Sequence, residues 1–297
     1  MTRLARIAGI SIAVSLAVLA LKLVAWRLTG SVALYSDALE SVVNVATALM
    51  AAFAVRLAAQ PPDHNHPYGH AKVELFAAMV EGGLIVVAAV LIFQEAWAAL
   101  RHPDLPARPW LGIGMNALGS GLNGAWAFVL LRAGRRLHSP AVLADGRHLA
   151  MDVVASSGVA AGVALVWATG IARLDPALAV LVALYVLWSG VRVARAGAAG
   201  LMDEAPPSAV IRKIETLLAQ HGTGALEAHD IRVRMAGRQT FLQFHLVVPG
   251  DMSVSEAHLI CDRIERGILQ DLPQMVTTIH VEPHGKAKPD AALRLGT

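Results

Sequence analysis

The sequence has few charged residues and a single cysteine. Charged residues make up 16% of its 297 positions, whereas soluble domains average about 25%. One cysteine, Cys261, excludes an intramolecular disulfide and suits a reducing compartment. The net charge is only +3, and nothing in the sequence suggests binding to nucleic acid. The glycine-rich phosphate loop of ATPases is also missing, so no nucleotide site is expected.

Long apolar stretches are what the sequence has in abundance. Hydrophobic residues make up 56% of the chain, and a membrane-spanning helix needs roughly 20 consecutive apolar residues. Six stretches are predicted to span a membrane, at about residues 7–27, 32–58, 73–100, 109–133, 144–170 and 174–200. The first is too long for a signal peptide and lacks a small-residue cleavage site, so no cleavable leader is expected.

Basic residues near the ends of these spans predict the orientation. Arg3 and Arg6 precede the first span, and Arg135 and Arg136 lie between the fourth and the fifth. Lys and Arg are enriched on the cytoplasmic side of bilayers. The expectation is a multi-pass protein of the inner (plasma) membrane, surrounded by lipid, with both termini in the cytoplasm.

The composition changes after Asp203, where Pro206-Pro207 marks a break. Two later segments have helical periodicity, and three have the pattern of strands, in the order α-β-β-α-β. This order predicts a small two-layer α/β domain. The fold class is therefore an α-helical membrane protein with a C-terminal cytosolic α/β domain. The predicted domains are 1–205 in the membrane, 206–284 in the cytosol and a disordered tail over 285–297.

Ionisable residues inside the predicted spans are costly, so each is a candidate functional residue. Glu40 and Asn44 lie four residues apart in the second span, as do His148 and Asp152 in the fifth. Each pair therefore shares one face of a helix. If the two spans pack together, three oxygen ligands and one imidazole converge, which suits a divalent transition metal. Asp37, one turn before Glu40, is a further candidate ligand.

Other readings of the polar residues in the spans stay open. A hydrogen-bonded network that packs helices without an ion also explains a single pair, but matched spacing in two separate spans favours a metal site. Lys22 in the first span is expected to snorkel toward the outer surface. Asn116, Ser120 and Asn123 share a face of the fourth span, where they line a wet cavity or pack against a neighbour.

The loop between the second and third spans, QPPDHNHPYGHAKVE, is dense in residues that bind metals. Asp63, His66 and His70 bracket a Pro-Tyr-Gly turn, with His64 nearby. This density predicts a second metal site. A solvated loop without an ion is the alternative that the spacing leaves open.

Histidines also recur in the C-terminal domain. The candidate ligands there are His229, His245, His258, His280, Glu282 and His284. Each of them alone is more often an ordinary surface or core residue. Their concentration on predicted strands and one helix favours metal binding, less strongly than the residues inside the spans do.

Several motifs together resemble the cation diffusion facilitator family, and specifically its bacterial iron/zinc-efflux branch. In order, they are WRLTGSVAL, QPPDHNHPYGHAKVE, ADGRHLAMD, LMDEAPP and the pattern AHD…FHL…EAH…IHVEP, which together cover nearly the whole chain. The resemblance implies six spans and a ferredoxin-like cytosolic domain similar to copper chaperones. It also implies a homodimer that exchanges a divalent metal cation for protons, with no organic cofactor.

The resemblance also assigns residues to sites. By position, the transport metal site falls on Glu40, Asn44, His148 and Asp152, the loop site on Asp63, His66 and His70, and a dimer-bridging cytosolic site on His229, His245, His258, His280 and Glu282. Lys72 and Asp203 match a charge pair between the membrane and cytosolic domains. The divalent cation is therefore expected both as the substrate and as a regulatory ligand.

Three ligand positions depart from the pattern of the family. Zinc-transporting members have two Asp, or His and Asp, in the second span, where this chain has Glu40 and Asn44. One nitrogen ligand and few charges suit Zn2+ or Fe2+, whereas an oxygen-rich set that includes Asp37 suits Mn2+. Glu282 stands where the branch usually has Asp.

Export of Zn2+ or Fe2+ in exchange for protons is the function that these residues predict, without catalysis. His148 is the expected proton carrier, because an imidazole titrates near neutrality. The alternatives are the same antiport with Mn2+, Co2+ or Cd2+, and a transport-inactive metal sensor. A membrane metal hydrolase is disfavoured, because neither the zinc-binding HExxH pattern nor a nucleophile supported by a base is evident.

Overall fold

Six long helices are followed by a small mixed sheet with two further helices. The computed structural model describes residues 3–30, 32–101, 109–237, 239–288 and 293–295. The chain divides into two units, Met1–Ala199 and Gly200–Thr297. The predicted boundary, after residue 205, lies a few residues beyond this division.

The helices of the N-terminal unit follow the predicted spans closely. They are α1 (Arg3–Thr29), α2 (Val32–Ala58), α3 (Val73–Arg101), α4 (Pro109–Arg136), α5 (Pro140–Thr169) and α6 (Leu174–Leu201). The largest differences are at the starts of α1 and α5, which begin four residues before the predicted positions 7 and 144. Ser139 caps α5 and Pro140 occupies its first turn, where a missing N–H costs nothing. Gly170, with φ of 70°, ends it.

Five of the six helices are long and apolar enough to cross a membrane, and α4 falls short of that apolarity. Its polar residues lie on one side, because Asn116, Ser120 and Asn123 are buried in the unit. The opposite side is apolar, with Leu118 and Phe128 exposed. A helix that turns polar groups inward and apolar groups outward is what a membrane bundle with a polar interior requires.

Small residues let these helices approach closely. A Cβ built on Gly146 of α5 would lie 2.9 Å from the backbone nitrogen of Leu131 on α4. A Cβ built on Gly82 of α3 would lie 2.3 Å from the backbone nitrogen of Ala194 on α6. Such contacts replace the hydrophobic driving force that is missing between helices in lipid. They fix α5, which carries two candidate ligands, directly against α4.

The C-terminal unit has the predicted order of elements. They are α7 (Ser208–His221), β1 (Glu227–Ala236), β2 (Gln239–Val248), α8 (Val254–Asp271) and β3 (Met275–Pro283). β2 pairs with β1 in antiparallel and with β3 in parallel orientation. Apolar residues of α7 and α8 pack with one face of the sheet to form the core. Among the described residues of this unit, no helix covers the opposite face, and the predicted fold class is confirmed.

The end of the chain differs from the predicted disordered tail. His284–Lys286 form a short 3-10 helix, and β4 (Leu293–Arg294) pairs with β1, giving the strand order β3-β2-β1-β4. Leu295 is buried in the core beside Gly222. Residues 289–292 and 296–297 of the predicted tail lie outside the described residues. The one apolar side chain that follows β4 explains why this segment docks rather than remaining in solvent.

Candidate metal-transport site

The predicted ligands of the second and fifth spans lie on the facing sides of α2 and α5. All four side chains are buried. His148 Nε2 lies 2.5 Å from Asn44 Oδ1, which joins the two helices directly. Asp152 is one turn further along α5 and Glu40 one turn earlier on α2. The structure therefore brings the two pairs to one place inside the bundle.

The tightest group of ligand atoms at this place is acidic. Asp37, Glu40 and Asp152 each offer a carboxylate oxygen, and these atoms lie within 4.8 Å of one another. His148 is outside this group, because its Nε2 atom is turned to Asn44. Asp37, a further candidate in the sequence, is thus closer to the other carboxylates than the imidazole is. Three carboxylates at such distances repel one another unless a cation lies between them.

A cation from the protein itself lies between two of these carboxylates. Lys22 Nζ of α1 is 3.0 Å from Asp37 Oδ1 and 3.0 Å from Asp152 Oδ2. It also donates to Ser156 Oγ at 3.0 Å. The residue is 1% exposed, so the prediction that Lys22 snorkels to the surface is wrong. The flexible lysine side chain is long enough to reach water. The ammonium stays inside the bundle because two buried carboxylates bind it there.

Polar residues of α4 form a layer behind the ligands. Asn123 Nδ2 donates to Asp152 Oδ2. Asn116 Nδ2 donates to the backbone oxygen of Ser156 at 3.1 Å, and Ser120 donates to Asn116. Of the two roles considered for this face, the structure shows packing against α5. The contact from Asn123 orients Asp152, as second partners of metal ligands commonly do.

Two further buried carboxylates were not identified as site residues from the sequence. Asp145, one turn before His148 on α5, accepts a hydrogen bond from Ser11 at 2.7 Å. Trp126 donates in turn to Ser11. Asp145 Oδ1 and Glu81 Oε1 of α3 are buried without a hydrogen-bond partner among the described residues. The spacing of Asp145 from His148 continues the polar face of α5 and could have indicated it.

Several polar atoms at the transport site lack partners within the described part of the chain. They are Asp37 Oδ2, Asn44 Nδ2 and Asn123 Oδ1. Buried polar atoms are nearly always hydrogen-bonded in folded proteins. Free, buried oxygen atoms beside carboxylates favour a cation at this place, either a metal ion or the Lys22 ammonium that already contacts Asp37.

The loop between α2 and α3 brings its three predicted ligands together. Asp63 lies 3.0 Å from His66 Nδ1 and 3.4 Å from His70 Nε2. The His66 and His70 rings are 4.4 Å apart. The backbone N–H of His66 donates to the Asp63 carboxylate and lowers its pKa. A carboxylate that stays ionised beside two imidazoles can hold a divalent cation, whereas His64 is exposed and outside the group.

The C-terminal unit gathers its histidines by strand register. His229 is paired with His245 across β1 and β2, and His245 with His280 across β2 and β3. Glu282 lies 3.1 Å from His245 Nδ1, 3.4 Å from His229 Nε2 and 3.6 Å from His280 Nε2. Their neighbours Ala228 and Leu246 are in the core, so this group lies on the face without helices, because side chains alternate along a strand.

The observed C-terminal group differs from the predicted one at two residues, His258 and Glu227. His258 is exposed on α8, beside Asp262 at 3.6 Å, and the described unit does not bring it to the other histidines. A helix packed on one face of the sheet cannot present a side chain to the opposite face of the same sheet. Glu227 lies 3.1 Å from His229 Nδ1 and was not predicted, although two-residue spacing on a strand indicates a shared face.

The predicted charge pair involves residues of different units. Lys72 precedes α3 in the N-terminal unit, and Asp203 follows α6 in the C-terminal unit. Within its own unit, Asp203 lies 3.6 Å from Arg234 Nη1. The pairing of Lys72 with Asp203 stays a prediction.

Family models match both units. Residues 8–202 match the cation efflux transmembrane domain. Residues 206–284 match the cytoplasmic domain of cation efflux proteins. The two matches meet near the division between the units and together cover most of the chain.

Individual relatives extend over nearly the same length. An uncharacterized transporter of Synechocystis sp., sll1263, is 42% identical over 282 residues, which are 95% of this chain and 91% of that protein. The cation-efflux pump FieF of Yersinia pestis is 31% identical over 267 residues, 89% of this chain and 88% of FieF. A solved structure of the zinc form of CzrB, a proposed zinc transporter, is 46% identical over 29% of this chain and 98% of that chain, with a TM-score of 0.28. The chain belongs to the cation diffusion facilitator family and is a membrane transporter for cation efflux.

Proposed function

We propose that this transporter exports a divalent transition-metal cation, Zn2+ or Fe2+, from the cytoplasm in exchange for protons. The observation that carries the proposal is the buried meeting of α2 and α5, where Glu40, Asn44, His148 and Asp152 lie together inside the bundle. Carboxylate, amide and imidazole ligands in one place suit these metals. The FieF relative, a cation-efflux pump, supports the direction of transport.

The charges of the site support a divalent rather than a monovalent substrate. Asp37, Glu40 and Asp152 carry three negative charges when ionised, and Lys22 contributes one positive charge in contact with two of them. The sum is −2, which one divalent cation neutralises. Charged groups are stable inside a bundle only when they are compensated in this way.

Protons enter the cycle through the same ligands. A metal ligand must lose its proton before it binds, so metal and protons compete for His148 and the carboxylates. His148 is the proton carrier in this proposal, because the same imidazole nitrogen can bind either a proton or a metal ion. Metal bound from the cytoplasm releases protons, and protons from the outer side later eject the metal. The proton gradient then drives export without a nucleotide.

The remaining parts of the proposal concern the assembly. We place the protein in the inner (plasma) membrane as a homodimer with both termini in the cytoplasm. Metal bound by His229, His245, His280 and Glu282 of the C-terminal unit regulates transport by tightening the dimer. His258, exposed on α8, joins this metal site only if the partner subunit brings it there.

A second substrate, Mn2+, is favoured by one specific observation. The three carboxylates at the site, Asp37, Glu40 and Asp152, form a group without nitrogen ligands. Such oxygen ligands suit Mn2+ better than they suit Zn2+. Which metal is transported therefore depends on whether Asp37 or His148 completes the coordination.

Metal-driven proton flux in proteoliposomes tests the proposal. The wild type is compared for Zn2+, Fe2+, Mn2+ and Co2+, and we expect flux for at least one of them. Asp152→Ala should abolish it. Glu95→Ala is the matched control, since Glu95 is an exposed carboxylate on α3, and its flux should be unchanged. A folded wild type without flux for any metal would contradict the proposal and favour a transport-inactive metal sensor.

A further inference from the structure

Lys22 is the only side chain among the described spans that places a positive charge on the carboxylates of the transport site. Its ammonium is in contact with three side chains, at 3.0 Å from Asp37, 3.0 and 3.1 Å from the two oxygens of Asp152, and 3.0 Å from Ser156. Ser156 also donates to Asp37 at 2.6 Å. The three N–H groups of the ammonium are thus fully used.

The ammonium occupies the place that a metal ion requires. A divalent cation binds a carboxylate oxygen at about 2.0 to 2.2 Å, and both oxygens of Asp152 are already within 3.1 Å of Lys22. Two cations cannot share one carboxylate at these distances without strong repulsion. The metal binds Asp152 only after the ammonium has withdrawn from it.

Asp37 and Ser156 give the ammonium a place to withdraw to. Asp37 touches Lys22 through Oδ1, and Ser156 bridges the two, so this contact survives the loss of Asp152. The stem of Lys22 runs beside Gly119 of α4, where a built Cβ would lie 3.8 Å from Lys22 Cγ, so the ammonium moves by rotation about the side-chain bonds of the lysine. Asp37 is then the partner of Lys22 in the loaded state and not a ligand of the metal.

We propose that Lys22 is a tethered competing cation, which occupies Asp152 in the metal-free transporter and is displaced onto Asp37 when the substrate metal binds. The inference rests on the proposed function, because it assigns Asp152 to the transported metal. Lys22 stays protonated and charged throughout, and it takes no part in the exchange of protons. By holding Asp37, it also restricts the metal to a ligand set that contains His148, and so determines which metal is accepted.

Equilibrium metal binding to the full-length protein in detergent tests this assignment. Binding of Zn2+ and of Mn2+ is measured by competition with a fluorescent chelator, and the part removed by Asp152→Ala defines the transport site. The variants are Lys22→Met, Asp37→Asn, the double variant, and Lys22→Arg as the charge-retaining control. Lys22→Gln repeats the measurement if Lys22→Met does not elute as a folded protein in gel filtration.

Removal of the competing charge should strengthen binding. We expect Lys22→Met to lower the Kd by at least about tenfold, since a unit charge at this distance acts strongly in a buried site. The gain should be larger for Mn2+, because Asp37 becomes available as an oxygen ligand. Asp37→Asn should weaken binding, the double variant should return close to the wild type, and Lys22→Arg should resemble it. A lysine that only stabilises the fold would give weaker binding on removal.

The failure of this inference differs from the failure of the proposed function. If the wild type binds metal through Asp152 and Lys22→Met binds it no more tightly, Lys22 is not a competitor and the inference is overturned. If the double variant binds much more weakly than the wild type, Asp37 is a metal ligand, which also overturns it. If Asp152→Ala removes no binding from the wild type, the transport site itself is wrong.

Discussion

The two units of the chain gather metal-binding residues in opposite ways. In the N-terminal unit, the carboxylates of α2 and α5 are buried, and Lys22 already neutralises part of their charge. In the C-terminal unit, Glu282 lies among three histidines on a helix-free face, and the His280 side chain is 66% exposed. We propose that both groups bind a divalent cation, and only the first has to give up an internal cation to do so.

This difference separates a transport site from a binding site. A buried group whose charge is partly neutralised by Lys22, and by protons in the proposed exchange, remains stable while the carrier returns without metal. The group on the sheet face ranges from buried His229, 1% exposed, to His280, 66% exposed, so metal reaches it from solvent on the His280 side. The first arrangement favours exchange of one cation for another, and the second favours binding that follows the metal concentration.

Transport itself should show the largest contrast between the two units. We expect Asp152→Ala to eliminate metal-driven proton flux, because it removes a charged ligand and leaves Lys22 with one carboxylate fewer. Glu282→Ala should retain most of the maximal flux at saturating metal, since it removes a regulatory ligand only. Proteoliposomes with both variants at equal protein content provide the measurement. Equal loss of flux in both would mean that the C-terminal group is part of the transport path.

Sequence periodicity predicted part of the membrane site, because it indicates which residues share a helix face but not which helices pack together. Spacing of four residues indicated that Glu40 and Asn44, and His148 and Asp152, share helix faces, and the spans were found because apolar length is a strong signal. The sequence of α1 alone does not indicate which of its faces lies toward α5. Lys22 lies in an otherwise apolar helix, and its side chain was therefore predicted to extend to the membrane surface. Its partners are Asp37 and Asp152, which are 15 and 130 residues away in the sequence.

The C-terminal unit was predictable to a similar extent, with different gaps. The concentration of His229, His245 and His280 on predicted strands indicated a metal group, but the registers that align them on one sheet face are set by pairing between strands. His258 carries the same residue type on α8, and composition alone cannot tell a helix face from a sheet face. β4 was missed because two residues give no periodicity.

Metal binding by the C-terminal unit should depend on the sheet and not on α8. We expect Glu282→Ala to weaken metal binding at this group by at least about tenfold, the size of effect that even outer partners of metal ligands have. His258→Ala is the matched control, and it should leave the affinity unchanged when measured on monomeric protein. Chelator competition in a background that carries both Asp152→Ala and His70→Ala, which removes the transport and loop sites, isolates the C-terminal group. A comparable loss in His258→Ala on monomeric protein would contradict this prediction, whereas a loss seen only on the dimer would mean that a partner subunit supplies this histidine.

The smallest effect tests whether fold and metal site are separable in the C-terminal unit. Ser253 caps α8 in a reciprocal pair with Glu256, in which each side chain accepts from the backbone of the other. Ser253→Ala should lower the free energy of unfolding of this unit by about 1 kcal/mol, which raises amide exchange of β1 and β2 about fivefold. Ser253→Asp, which keeps the capping oxygen, is the control. Metal affinity should stay the same in both variants, because the cap lies outside the histidine group. Should affinity fall together with stability, the sheet group would depend on the fold as closely as Lys22 and its carboxylates do, and the contrast between the two units would disappear.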